Sequence, residues 1–350
     1  MQIIEPVTGL TILLAAIATV IGLFFDFTNG FNDSANQVAT VIASNSVSPA
    51  KALTLAAAGN FIGAFFLGTA VAKTVGQGIV DPSFLGGGRT GVYVIIAALL
   101  GAIGWNLISW YFGIPSSSSH ALIGGLVGSF LVAWGLQPIH WIKVLAIVAI
   151  MLISPIIGFA ATYVFTKATR HISGWFTPRV SESFKRLQVA SLAAQALSHG
   201  TNDAQKTMGV IAFTLVILGL ETIPVGGEIQ IPFWVIALCS LAIAAGTLIG
   251  GWRIIRTLGA GLYKVRPIHA FASQVASALI IYATAFFGYP ISTTQVISSS
   301  VMGVGTAFRP KMVRWHVAQD MGFAWLVTIP ASGVLAAVCL LAIKAVSGIV

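Results

Sequence analysis

Apolar residues dominate the chain in ten runs, at about residues 10–45, 50–73, 91–112, 117–136, 141–166, 188–220, 232–252, 270–287, 293–308 and 320–346. A helix of about 20 apolar residues crosses the hydrocarbon of a bilayer, and at least eight of these runs hold such a stretch. Polarity returns inside them at a few places only. Leu10 to Phe25 is almost wholly apolar, and then Asp26, Asn29, Asn32, Asp33 and Asn36 follow within eleven residues. A close echo, GTNDAQKTMGVIA, begins at Gly200. Two further interruptions are rich in hydroxyls: GIPSSSSHALIGGLVG from Gly113 and GYPISTTQVISSSVMG from Gly288.

These interruptions come in pairs. Gly30, Asn32 and Asp33 match Gly200, Asn202 and Asp203 at an offset of 170, and Gly113, Pro115, Ser117, Ser118 and Ser119 match Gly288, Pro290, Ser292, Thr293 and Thr294 at an offset of 175. Two motif pairs in the same order mark an internal duplication. The expected division is an N-terminal transmembrane repeat over 1–166, a polar cytoplasmic linker over 167–187 and a C-terminal repeat over 188–350. The fold class expected is an all-α polytopic membrane protein of two inverted repeats. It would have broken helices at the Asn-Asp motifs and a re-entrant-type helical hairpin at each hydroxyl-rich tip.

Composition removes the soluble alternatives. The chain is 57% hydrophobic and 8% charged, with mean hydropathy +0.94; a soluble domain carries about 25% charged residues. The net charge of +9 sits in short loops, so it reads as positive-inside bias and not as a nucleic-acid surface. With both termini outside and each tip leaving on the side it entered, 13 of the 18 Lys and Arg fall inside. Four fall outside (Lys73, Arg89, Lys143 and Lys344), and Lys206 stays in the membrane. The halves then have opposite orientation. The location expected is the inner (plasma) membrane, multi-pass. MQIIEPVTG has neither a basic start nor a following small-residue cleavage site, so no cleaved signal peptide is expected. Cys239 and Cys339 lie in apolar runs and read as packing residues. Trp105, Trp110, Trp141, Trp175 and Trp315 lie near run ends and read as interface anchors.

The candidate chemistry is that of transport. Ionisable residues at membrane depth are costly and usually face a cavity or an ion path. Gly30 and Gly200 can open the backbone, and freed carbonyls beside Asn29, Asn32, Asp33, Asn202 and Asp203 would make an oxygen shell for a hard cation such as sodium; a proton carried on Asp is the rival. At the tips, Pro115 and Pro290 end a helix and the hydroxyls favour the cap of the next. Two helix N-termini facing each other form an anion site, with Ser117, Ser118, Ser119, Ser292, Thr293 and Thr294 as donors and His120 and Gln295 at matching positions after them. Asn36, Lys206 and Asp320 are auxiliary candidates; Lys206 shares a helix face with Asp203. Ser198, His199 and Asp203 hint at a hydrolase, but no G-x-S-x-G or H-E-x-x-H motif supports one, and duplicated motifs disfavour an asymmetric active site. No enzyme activity and no cofactor is expected. A passive channel would not need paired carboxylates. Inverted repeats with matching polar breaks indicate a secondary transporter, here with an anion as cargo.

NGFNDSANQVATVIAS, SHGTNDAQKTMGVIA, PSSSSHALIGG and PISTTQVISSSVMG resemble the paired signatures of the inorganic phosphate transporter (PiT) family, over about residues 20 to 330. The resemblance implies phosphate moved with sodium or protons, by a homodimer; sulfate or another tetrahedral oxyanion is the rival cargo. It implies cation ligation by Asn32, Asp33, Asn202 and Asp203, and phosphate ligation by the tip hydroxyls. The first tip reads Ser-Ser-Ser-Ser-His where Ser-Thr-Thr-His is common, and Gln295 stands where a histidine is often seen. The short central connection resembles that of compact prokaryotic members.

Overall fold

A computed structural model describes residues 8–80, 89–172, 178–224, 227–257 and 266–347. Among them the chain is helical, in the order α1 (Gly9–Ala43), α2 (Pro49–Phe66), α3 (Ala70–Gly78), α4 (Arg89–Phe112), α5 (Ser118–Trp134), α6 (Trp141–Ile172), α7 (Pro178–Ile217), α8 (Phe233–Ile249), α9 (Trp252–Arg256), α10 (Pro267–Phe286), α11 (Thr293–Phe308) and α12 (Trp315–Ser347). Five of these are long and apolar enough to cross a membrane, or six if α2 and α3, bent by 71° at their junction, form one span. Trp175 lies outside the described residues, as does the middle of the polar stretch 167–187. The rest of that stretch is helix, because α6 runs on to Ile172 and α7 starts at Pro178.

The helix ends follow the local sequence. Thr8 opens α1 with a capping box. Pro49 and Pro267 stand in the first turns of α2 and α10, where a missing N–H costs nothing. Gly113 and Gly288 have φ of 67° and 76°, a left-handed conformation open to glycine. They turn the chain from α4 towards α5 and from α10 towards α11. Ser117 and Ser292 then cap the next helices, accepting from the backbone N–H of His120 and Gln295 at 3.2 and 3.3 Å. The two helical hairpins predicted from the tips are therefore formed.

Packing carries the duplication into three dimensions. Pair α1 with α7, α2 with α8, α3 with α9, α4 with α10, α5 with α11 and α6 with α12. The contact of α1 with α8 then becomes that of α7 with α2. In the same way α1–α4 becomes α7–α10, α5–α12 becomes α11–α6, and α3–α7 becomes α9–α1. Pro155 within α6 and Pro330 within α12 also match. Trp141 and Trp315, each at a helix start, donate to a carbonyl five residues back, on Leu136 and Pro310.

Two expectations need correction. The helices carrying the Asn-Asp motifs are continuous, not broken: α1 and α7 run through Gly30 and Gly200 without interruption. A Cβ at Gly30 would run into the Ile243 carbonyl of α8, and one at Gly200 into the Asn60 carbonyl of α2. These glycines let backbones approach closely, the use made of small residues between membrane helices. Where α2 and α8 meet, Asn60 Nδ2 donates to Thr247 Oγ1 at 2.8 Å. Trp105 is not an interface anchor either; it is half-buried and donates to Thr328 Oγ1 of α12 at 3.1 Å.

Candidate functional site

The starts of α5 and α11 meet the middles of α1 and α7 in one buried cluster. Asp33 and Asp203 are 2% and 0% exposed, so their oxygens must find donors inside the protein. The tips supply them. Ser118 Oγ donates to Asp33 Oδ2 at 3.1 Å, Thr294 Oγ1 to Asp33 Oδ1 at 3.0 Å, and Thr293 Oγ1 to Asp203 Oδ2 at 2.9 Å. Both tips thus engage Asp33, one from each half of the chain.

The residues one turn further along complete a crossed pattern. Asn36 Nδ2 donates to Asp33 Oδ1 and to Thr294 Oγ1, each at 2.9 Å. Lys206 Nζ donates to Asp203 Oδ1, to Ser119 Oγ at 2.6 Å and to the Ile291 carbonyl at 3.0 Å. Ser119 Oγ itself donates to the Ile291 carbonyl at 2.9 Å. Each motif helix therefore reaches across to the third hydroxyl of the other half's tip.

Of the remaining expected residues, Asn32 and Asn202 are buried beside the cluster and donate to the Asn106 carbonyl at 3.0 Å and the Tyr289 carbonyl at 3.4 Å. Their Oδ1 atoms, and those of Asn29 and Asn36, lack a hydrogen-bond partner. Ser117 Oγ also meets His120 Nδ1 at 2.7 Å, so Ser117 and Ser292 serve as caps and their neighbours face the carboxylates. Gln295 is buried with its Oε1 unpartnered. Asp320 is not part of the cluster: it is exposed in the second turn of α12. The sequence reading placed a cation at the Asn-Asp motifs and an anion at the tips; the structure joins the two sets, and the carboxylates already hold the tip hydroxyls.

Two further residues, outside the expected ligand set, belong to the cluster. His199, one turn before Asp203, has its Nε2 2.9 Å from Asp203 Oδ2 and 3.8 Å from Asp33 Oδ2. Donor atoms of Asp33, His199 and Asp203 lie within 4.8 Å of one another, close enough for one cation to touch all three. Asp26 is fully buried two turns before Asp33, beside Thr207, and neither carboxylate oxygen makes a hydrogen bond of good geometry. The signal for His199 was available, since the offset of 170 sets it against Asn29.

A cavity of about 580 Å³ opens beside the second tip, lined by Lys73, Thr74, Lys143, Glu228, Phe287 and Gly288 among others. Lys73 and Glu228 pair across it at 2.6 Å. Its Gly288 is three residues from Ile291, whose carbonyl holds Lys206 and Ser119.

The chain matches the model of the "Phosphate transporter family" over residues 29–336. It is 43% identical to a "Probable low-affinity inorganic phosphate transporter" of Rhizobium meliloti (strain 1021), covering 91% of this chain and 93% of that protein. It is 41% identical to the protein of the same description from Bacillus subtilis (strain 168), covering 93% and 96%. Its fold is similar to a solved structure titled "The sodium-dependent phosphate transporter", with a TM-score of 0.84 and 24% identity over 95% of this chain and 100% of that one.

Proposed function

The chain belongs to the phosphate transporter family, and from that premise we propose that it imports inorganic phosphate by symport with a cation, sodium foremost. It is a multi-pass membrane protein and a transporter, not an enzyme. The two repeats are read as inverted and as rocking about the cluster in alternating access. The crossed contacts of the paired helices support that reading.

The observation that carries the proposal is the occupation of the tip hydroxyls by carboxylates. A hydroxyl has one proton to donate. While Ser118, Thr293 and Thr294 give theirs to Asp33 and Asp203, they cannot give it to phosphate, and Asp33, which has no lysine partner as Asp203 has, repels a dianion. A sodium ion ligated by the carboxylates, with Asn29, Asn32 and Asn202 near, removes both obstacles together. The hydroxyls swing to the anion, aided by the N-termini of α5 and α11. Cation first and phosphate second then follows from hydrogen-bond arithmetic. His120 and Gln295 stand one residue further in, and Gln295 Oε1 offers an acceptor that a protonated phosphate uses and sulfate does not.

Phosphate enters through the Lys73–Lys143 cavity, on the side taken as outside. Both termini are outside, residues 167–187 face the cytoplasm, the membrane is the plasma membrane, and the protein is a homodimer, which crosslinking in native membranes tests. The decisive experiment is labelled-phosphate uptake into proteoliposomes with and without an inward sodium gradient at fixed pH. Uptake that rises with sodium and resists excess sulfate is expected. Uptake driven only by an acid exterior reassigns the carboxylates and His199 to proton transfer, and sulfate transport in its place refutes the cargo.

A further inference from the structure

The offset of 170 sets Asp26, Asn29, Asp33 and Asn36 of α1 against Ala196, His199, Asp203 and Lys206 of α7. The spacings of three, four and three residues keep each set on one helix face. The scaffold treats the two sets alike, because Asn36 and Lys206 reach equivalent oxygens: Asp33 and Thr294 for one, Asp203 and Ser119 for the other. The chemistry is unlike. The α7 face has one carboxylate, a lysine and a histidine. The α1 face has two carboxylates and two amides and no basic residue of its own; Asp33 has His199, shared from α7 at 3.8 Å, and Asp26 lies beside Thr207, within reach of the charges of Lys206 and His199.

Lys206 Nζ is surrounded by a carboxylate, a hydroxyl and a backbone carbonyl and is 2% exposed. That is the all-oxygen shell a hard cation takes. At the matching place on α1 the amide of Asn36 brings no charge, and Asn36 Oδ1 and Asn29 Oδ1 are buried without a partner. Asn36 is anchored to Asp33 by its other amide atom, so its free oxygen is held on the same helix face as that carboxylate. Buried carboxylates without a compensating charge are costly. The α7 half therefore carries its own cation beside the unpaired Asn202 oxygen, and the α1 half offers the unpaired oxygens of Asn29, Asn32 and Asn36 to a mobile one.

We propose that Lys206 is a built-in cation, filling on the α7 side the place that a mobile sodium ion takes on the α1 side. That ion sits at Asp33 with the amide oxygens of Asn29 and Asn36, and Asp26 is the next carboxylate along the same face. The protein then carries one sodium fewer than a fully symmetric site would. The inference rests on the sodium–phosphate symport proposed above and narrows its cation site to the α1 half.

The test is the ratio of labelled sodium to labelled phosphate taken up by proteoliposomes, in the wild type and in Lys206→Asn, which copies Asn36 onto α7. The variant is expected to remain sodium-dependent, to gain a sodium ion per phosphate and to be activated more steeply by sodium. Sodium-activated uptake with an unchanged ratio in Lys206→Asn overturns the role of Lys206 while leaving symport intact. Wild-type liposomes that take up no phosphate overturn the underlying reading and this one with it. Should Lys206→Asn fail to fold, the wild type alone decides. The dependence of its thermal stability on sodium, against choline, reports the number of ions bound. A single ion is expected, and two bound ions refute the proposal.

Discussion

Around Asp33 the neighbours on its own helix are amides; around Asp203 they are a histidine and a lysine. The two carboxylates sit on matched helices, take hydroxyls from matched tips and are buried alike. Two properties of a duplicated site part ways here. Shape has been kept in both halves, since the helix contacts exchange with one another. Charge has been divided: Asp203 meets a permanent ion pair with Lys206, while Asp33 is bound by neutral donors and the shared His199. A site built this way can hold its resting charge on one side and exchange it on the other.

The largest expected effect is a difference between the same substitution made twice. Asp203→Asn leaves the Lys206 ammonium buried without its carboxylate, and removing one partner of a buried pair costs about 3–5 kcal/mol. Asp33→Asn loses hydrogen bonds from neutral donors, about 1–3 kcal/mol, and the longer contact with His199, which keeps its closer partner Asp203; it abolishes sodium activation of phosphate uptake. Thermal unfolding of the two purified variants ranks them. Equal losses, or the larger loss at Asp33, would break the division of charge between the halves.

A second pair of substitutions sharpens the claim that shape is conserved. Gly30→Ala and Gly200→Ala each push a methyl group against a backbone carbonyl of the facing helix. Overpacking of this kind costs about 1–3 kcal/mol, and the two are expected to lie close together. If both helices were hinges instead, alanine would leave stability almost unchanged and act on transport rate alone.

These glycines also mark where the sequence stopped being legible. The runs of apolar residues located most helix ends to within a few residues, because long hydrophobic segments depend little on their partners; α7, however, begins ten residues before its run, on polar sequence, and the run 50–73 holds two helices, α2 and α3. The Gly-x-Pro-hydroxyl tips specified the α4–α5 and α10–α11 hairpins through local rules of capping. A glycine, by contrast, permits a break and permits close packing equally well, and only the position of α8 against Gly30 decides between them. Likewise the meeting of Ser118 and Thr294 on one carboxylate joins residues 85 and 261 positions from Asp33, which no local pattern encodes. His199 was readable by alignment of the halves but was set aside when judged as part of a hydrolase.

Smaller effects belong to the caps. Ser117→Ala and Ser292→Ala each remove an N-terminal cap, worth about 1 kcal/mol. Ser117 also bonds the His120 ring, so its loss is expected to exceed that of Ser292. Raised half-saturation for phosphate, with sodium activation retained, is the expected kinetic signature of both, since they position the tip and leave the carboxylates in place. A loss of sodium activation in either would assign these serines to the cation.

The smallest effect is expected at Asp320, which sharpens the comparison by lying outside it. The sequence offered it as a possible third ion ligand because it is an acid near the start of a long apolar run. In the fold it is exposed on α12, whose packing is against α4 and α5. Asp320 stands apart from the buried oxygens that converge around Asp33, so it is not placed to share a sodium ion, whereas Asp33 and Asp26 are buried and gain from one. Asp320→Asn is therefore expected to change stability by less than about 0.5 kcal/mol and to leave the sodium dependence of uptake where it was. If uptake by Asp320→Asn needed more sodium, the cation path would extend to the surface of α12. Two buried halves would then no longer account for coupling by themselves.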